Sequence, residues 1–219
     1  MRKIVFPSVE NSNEDGLVAI GGDLEIDTLL SAYQQGIFPW PISTDYPLAW
    51  FSPDPRGIIM LDQVHVSKSF MKFLKKAQYQ ITFNQAFEDV INQCAKSTRK
   101  NQSSTWITSD IIQGYAKLFK QELAYSVEVW RDHNLVAGLY GVCMGEFVSG
   151  ESMFTTEDNA SKYALHGLLM HLKDKKIDWI DTQMVTMVVE GFGGKYISRP
   201  EFLEMLSRKN WARKREDIF

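Results

Sequence analysis

Tyr125-Ser126-Val127-Glu128-Val129-Trp130-Arg131-Asp132-His133-Asn134-Leu135-Val136-Ala137-Gly138-Leu139-Tyr140-Gly141-Val142-Cys143 is a strand-like run, a polar turn and a second strand-like run. β-Branched and aromatic residues suit a pleated surface, and the turn at 131–134 joins the two runs as an antiparallel hairpin. A third short run follows at 147–150. On the N-terminal side Phe87, Val90, Ile91 and Cys94 stand at i, i+3, i+4 and i+7, the buried face of a helix that Asn84 is expected to cap. Ile111, Tyr115, Leu118 and Phe119 mark another helix over about 109–123. Strand patterns at 57–61 and 79–83 bracket a helix capped by Ser67 and running to about 77. Beyond the hairpin come a helix over about 160–172, a strand at 179–181 and a helix begun by Pro200. Helices interleaved with an antiparallel hairpin make the fold class α+β.

Residues 1–56 have a different texture. Gly21, Gly22 and Gly36 and five prolines between 39 and 55 leave room for one short helix near 27–35, since proline neither donates to a ladder nor continues a helix. The expected organisation is a small irregular N-terminal domain at 1–56 and a larger domain at 57–219. The chain has 219 residues, 44% hydrophobic and 23% charged, enough to bury a real core. No apolar run is long enough to cross a membrane and no signal peptide is evident, so a cytoplasmic protein and a monomer are expected. Cys94 and Cys143 fall on helix and strand patterns as small buried hydrophobes. His65, His133, His166 and His171 have no metal-ligand spacing, so no metal and no cofactor is expected.

The net charge of −3 argues against non-specific coating of nucleic acid, but a local basic patch still attracts phosphates. Lys68, Lys72, Lys75 and Lys76 lie three or four apart on one helix, with no acidic residue between 63 and 87. That face is either a solvated helix surface or a phosphate-facing one. Trp40 and Trp106 sit in loops, as packing anchors or as stacking platforms for a base. The glycines of 138–145 continue a strand rather than open a helix, so close packing explains them better than a phosphate loop. Glu151 ends an apolar strand, and Asp181 and Gln183 end another. Residues i and i+2 of a strand share a face, so Asp181 and Gln183 are expected on one pocket wall, the anatomy of a site. A purely structural role at a strand end remains open for each.

In this order, the following segments resemble the leucyl/phenylalanyl-tRNA–protein transferase family: Phe6-Pro7, Gly21-Gly22-Asp23-Leu24, Tyr33, Gly36-Ile37-Phe38-Pro39-Trp40, Trp50-Phe51-Ser52-Pro53-Asp54-Pro55-Arg56, Thr105-Trp106-Ile107-Thr108, Ser126-Val127-Glu128-Val129-Trp130, Gly138-Leu139-Tyr140-Gly141-Val142, Gly150-Glu151-Ser152-Met153-Phe154, Asn159-Ala160-Ser161-Lys162 and Asp181-x-Gln183. Their number, order and spacing carry the resemblance to about Leu206. It implies a GNAT-like acyltransferase core moving Leu or Phe, sometimes Met, from aminoacyl-tRNA to an N-terminal Arg or Lys, which marks the product for degradation. It implies that Trp40 and Trp106 bracket the terminal adenosine and that Lys68 and Lys72 face the acceptor stem. Glu151, Asp181 and Gln183 line the reaction centre in this reading, and Leu139, Phe147 and Phe154 form the pocket for the transferred side chain.

Attack of an α-amine on an ester needs positioning and a proton acceptor. A carboxamide is too weak a base for that, so Gln183 is expected to orient the nucleophile or to relay a proton through Asp181. Glu151 is expected either to hold the cationic acceptor residue or to stabilise the developing ammonium. Backbone N–H groups are candidates for the oxyanion. The chain departs from the family at Thr182, usually Cys, at Val188, often His, at Gly191-Phe192-Gly193 and at Ile197-Ser198-Arg199; these bear on acceptor specificity. An acetyl-CoA N-acetyltransferase lacks its Gly-rich pyrophosphate loop here, and a tRNA- or peptide-binding module without turnover is the non-enzymatic alternative.

Overall fold

The computed structural model describes residues 5–41, 47–97 and 106–219. Thr105, part of one family segment, lies outside them. The chain begins with β1 (Leu17–Ile20), α1 (Ile26–Gln34), β2 (Phe38–Pro39) and β3 (Ala49–Phe51). The short helix is present, and the prolines do not prevent strands: β1, β3 and β2 form a small sheet in that order, with Pro39 on edge strand β2 and proline-free β3 at its centre. Next come β4 (Arg56–Met60), α2 (Lys68–Leu74), β5 (Gln80–Phe83), α3 (Phe87–Lys96) and α4 (Ser109–Lys120). The second half holds β6 (Ala124–Arg131), β7 (Asn134–Met144), β8 (Phe147–Val148), β9 (Ser152–Thr155), α5 (Ala160–Asp174), β10 (Trp179–Gln183), α6 (Met187–Gly191), β11 (Lys195–Ile197) and α7 (Arg199–Ser207). The mixed α+β class is as expected.

The β6–β7 hairpin is the spine of a five-stranded antiparallel sheet, ordered β5-β6-β7-β8, with β9 also paired to β7. Asp132 and His133 both take positive φ in its turn, the twist that a tight hairpin requires. Alternation then sorts the side chains between two layers. Tyr140 and Val142 join Phe87, Val90, Ile91, Ile111 and Tyr115 from α3 and α4. Leu139 and Cys143 join Leu165, Leu168, Leu169 and Leu172 from α5 on the other face. Each such fully buried side chain is worth about 1.5–3 kcal/mol in area removed from water. A Cβ on Gly138 would lie 2.9 Å from Val90 Cγ2 and 3.0 Å from Phe154 Cε1, so glycine here lets α3 and β9 close on β7.

Asn84 does not cap α3. It takes φ 60° in a turn, and its Oδ1 accepts the N–H of Ser126 at 3.0 Å. The α3 entry is served from the sheet instead: buried Glu128 accepts from Ala86 N, Thr82 Oγ1 and Ser126 Oγ. A second three-stranded sheet, ordered β10-β4-β11, carries the site. It meets the main sheet where Ser149 bridges Asp181 in parallel and Gly150 N donates to Asp181 O at 2.8 Å. The tail after α7 closes the base: Trp211 stacks on Phe147 at 5.6 Å and Phe219 on Tyr125 at 4.4 Å.

Candidate active site

Arg56 opens β4 and is fully buried. Its guanidinium lies between the rings of Phe38 and Phe202, at 4.7 and 4.5 Å. It donates from Nε to Asp181 Oδ1 at 2.9 Å, from Nη2 to Oδ2 at 2.7 Å and from Nη1 to the carbonyl of Gly36 at 3.0 Å. A planar fork matched to both carboxylate oxygens is the geometry in which a buried ion pair is best compensated. Asp181 is therefore turned into the protein. Its Oδ1 also accepts the backbone N–H of Gln183 at 3.0 Å, which holds Gln183 at φ 55°.

The expectation that Asp181 and Gln183 share a pocket wall fails for a local reason. The β10–β4 register slips between Asp181 and Gln183, and a bulge of this kind re-aims side chains. Ile180, Thr182 and Gln183 line the cavity, and Asp181 does not. Across the bulge, a Cβ on Gly57 would lie 2.9 Å from Met184 Cα; glycine in β4 lets the chain after β10 fold down beside it.

The bridge between the two sheets sets Glu151 beside Gln183. Glu151 Oε1 accepts from Ser149 Oγ at 2.6 Å, Tyr33 Oη at 3.0 Å and Gln183 Nε2 at 3.3 Å. Oε2 accepts from Tyr115 Oη at 3.3 Å, and the two phenols are 2.5 Å apart. Burial penalises the carboxylate, donation from Ser149 opposes that penalty, the charge of Asp181 adds to it, and the tyrosines oppose it; the result is a carboxyl pushed up to about 7. The same burial, with the charge of Glu151, drives the Tyr33 and Tyr115 phenols well above their ordinary value, so both stay protonated as donors.

Glu151 opens onto a cavity of about 290 Å³. Leu139, Met153, Leu165, Leu168, Ile180 and Val189 give it an apolar wall, and Trp40 and Trp106 also line it. The two indoles touch at 6.3 Å between centroids, inclined by 50°. Phe147 and Phe154, expected in this wall, are elsewhere. Both are buried in the layer with Phe87 and Tyr140; Phe154 pairs with Gly138 and Met153 with Leu139, so strand alternation gives the cavity Met153 in place of Phe154, while Phe147, on β8, pairs with Met144. Thr182 lines the cavity, and its buried hydroxyl has no hydrogen-bond partner among the described residues. Lys68 and Lys72 are exposed on α2, outside the cavity. Their helix is anchored by Phe70, which packs on Phe192 and His166 at 5.6 and 6.0 Å. No cluster of three or more His, Cys, Asp or Glu suited to a metal occurs among the described residues, and no helix there is long and apolar enough to cross a membrane.

Sequence reasoning missed Tyr33, Tyr115, Ser149 and the role of Arg56. Tyr33 and Tyr115 lie 118 and 36 residues from Glu151. Core packing accounts fully for both in the helical pattern. For Arg56 one signal existed: an arginine at the head of an apolar strand must find a buried anion.

A sequence model described as leucyl/phenylalanyl-tRNA protein transferase matches residues 58–207, and one for the N-terminal domain of such transferases matches 22–54. The leucyl/phenylalanyl-tRNA–protein transferase of Psychromonas ingrahamii is 47% identical over 206 residues, 93% of this chain and 86% of that one. Its counterpart in Flavobacterium johnsoniae is 41% identical over 208 residues, 95% of this chain and 98% of that one. Among solved structures, L-PGS from Bacillus licheniformis superposes with a TM-score of 0.42 at 10% identity, over 74% of this chain and 52% of that one.

Proposed function

The chain belongs to the leucyl/phenylalanyl-tRNA–protein transferase family, and we propose that it moves Leu or Phe, sometimes Met, from aminoacyl-tRNA to the N-terminal Arg or Lys of acceptor proteins. Aminoacyl transfer to protein is the activity of the family. The choice of amino acid and acceptor, the marking of products for degradation, a cytoplasmic setting, a monomeric state and a GNAT-like core at 57–219 behind a small domain at 1–56 are our reading.

One observation carries it: a carboxyl pushed up to about 7 stands in the wall of a largely apolar cavity that two tryptophans also line. In this reading the transferred side chain lies against Leu139, Met153, Leu165, Leu168 and Ile180. A cavity of about 290 Å³ suits a Leu, Phe or Met side chain, and its low polarity disfavours charged ones. Trp40 and Trp106 separate to hold the terminal adenosine, where stacking is worth about 1–3 kcal/mol per base. Lys68 and Lys72 lie along the acceptor stem.

The acceptor amine attacks the ester carbonyl as its free base. As the C–N bond forms and the ester C–O bond breaks, one proton must leave nitrogen and one must reach the departing ribose oxygen. A carboxyl near pH 7 matches an α-amine of pKa about 7.7–8.0 for taking and returning that proton. We therefore assign Glu151 as the proton carrier. Gln183 touches it and orients the amine, while Asp181 acts through Gln183 as a positioning residue.

Incubation with labelled Leu-tRNA or Phe-tRNA and a peptide beginning with Arg should transfer label without ATP or coenzyme A. Failure with every charged tRNA offered would reject the proposal. Transfer to peptides beginning with Ala as readily as with Arg would reject the acceptor assignment alone.

A further inference from the structure

We propose that the acceptor polypeptide leaves the cavity over a lip formed by Met184, Met187 and Tyr196, and that this lip favours apolar side chains just after the acceptor's first residue. This rests on the reading of the chain as a transferase to protein N-termini. Of the residues that line the cavity, Met184 and Thr186 are exposed, and the others are buried or half-buried. The stretch after β10 is therefore where the cavity meets solvent. In the reading above, Trp40 and Trp106 take the adenosine, and the apolar wall takes the transferred side chain. Gln183, which orients the amine, immediately precedes Met184. An acceptor whose amine lies against Gln183 has this lip as its way out.

The lip is fixed in place. Gly57 admits the backbone of Met184, whose Cα would lie 2.9 Å from a Cβ at that position. The N–H of Val185 donates to Tyr196 Oη at 3.1 Å, which ties the lip to β11. Val189 and Phe192, both buried, hold α6 to the core. Yet three of the six large apolar side chains exposed among the described residues stand here: Met187 at 89%, Tyr196 at 50% and Met184 at 38%. Apolar groups held in water on an anchored segment beside a cavity mark a contact surface. Thioethers are flexible and polarizable and re-pack against varied side chains. That property suits acceptors that differ from one another beyond their first residue.

Charge points to the acceptor, and not the tRNA, as the occupant. Residues 182–194 contain no Lys or Arg and a single acidic residue, Glu190, which is exposed on α6. A carboxylate there repels phosphate and attracts a cationic first residue. The dimensions agree. Gln183 and Tyr196 both pair with Gly57, so they stand two strand spacings apart, about 10 Å. An extended chain covers that span in about three residues, at roughly 3.3 Å each. The acceptor's second to fourth residues therefore lie on the lip.

The test uses the intact protein with carbon-13 in its methionine methyls, and two peptides, Arg-Leu-Leu-Gly-Ser and Arg-Gly-Ser-Gly-Ser. Titration with the first should shift the Met184 and Met187 methyl signals and leave that of Met71, exposed on α2, in place. The second should shift them less at the same concentration. Unmoved Met184 and Met187 signals, or equal shifts with both peptides, overturn the proposal. Kinetics give a second measure. Met187→Ser alters a side chain that is 89% exposed and leaves the fold intact. It should raise KM for the Leu-bearing peptide about 3- to 10-fold, with kcat and the KM for aminoacyl-tRNA held. An unchanged peptide KM, or a rise in the KM for aminoacyl-tRNA in its place, rejects the lip as the acceptor's path. Absence of transfer by the wild-type chain would reject the functional assignment, and the methyl titration would still decide whether the lip holds the peptide.

Discussion

Burial raises the Glu151 carboxyl to about 7 against an ordinary value of 4.5, and this ties the chemistry of one residue to the stability of the fold. A pKa raised on folding contributes stability that is complete below about pH 4.5 and lost as pH rises through about 7. Glu151→Gln carries no such dependence. It should match the wild type in thermal stability at pH 4 and exceed it by on the order of 1–3 kcal/mol at pH 8, while transfer falls about 10²- to 10⁴-fold. Calorimetry at the two pH values checks the first part, and a stability difference independent of pH would contradict it. Thr182→Val removes a buried hydroxyl without a partner at nearly constant shape, and should raise stability by about 1 kcal/mol in denaturant titration. Glu151 and Gln183 could be singled out in the sequence as polar groups ending apolar strands, with a structural role left open for each, and both line the cavity. Tyr33 and Tyr115 could not be, because a helical tyrosine at a core position looks the same whether or not its hydroxyl meets a carboxylate.

Strand β10 shows where legibility stops. Its existence followed from Trp179-Ile180, and its direction of display did not, because a bulge is invisible in an alternation pattern. The bulge exchanges Asp181 for Thr182 in the cavity wall, so Asp181→Ala is expected to act on stability and not on turnover alone. That variant leaves Arg56 buried without its counter-ion and should cost about 3–5 kcal/mol. The double variant Arg56→Met/Asp181→Leu should lose clearly less than the sum of Arg56→Met and Asp181→Leu. Additive losses in a double-mutant cycle would show that the pair is not coupled. The same period-2 rule, applied to β9, would have chosen Met153 over Phe154 for the cavity had the β7–β9 register been known. Long-range register is the missing quantity in each case.

For the molecule as a whole, the class and the order of most elements were readable, since hairpin and helix periodicities are local. The small sheet of β1, β3 and β2 was not, because its strands are two to four residues long and fall among turn formers. The basic face of α2 was readable, and its use is open to measurement. Lys68→Ala/Lys72→Ala should lower the slope of log affinity for tRNA against log salt by up to about 1.8 and leave the melting temperature unchanged, since both side chains are exposed. An unchanged slope in fluorescence titrations would remove α2 from the tRNA path.

Arg56 has a bearing on how such a chain can be inherited or rebuilt. It lies between the segments matched by the two family models, 22–54 and 58–207, yet its guanidinium holds Gly36 and Phe38 from the first and Asp181 and Phe202 from the second. A chimera that exchanges the first segment with a relative must bring the turn at Gly36 and the ring at position 38 in register with the host's arginine. Swapping at this joint is then a matter of matching one side chain's four neighbours, and the two segments are expected to have diverged together rather than been shuffled apart.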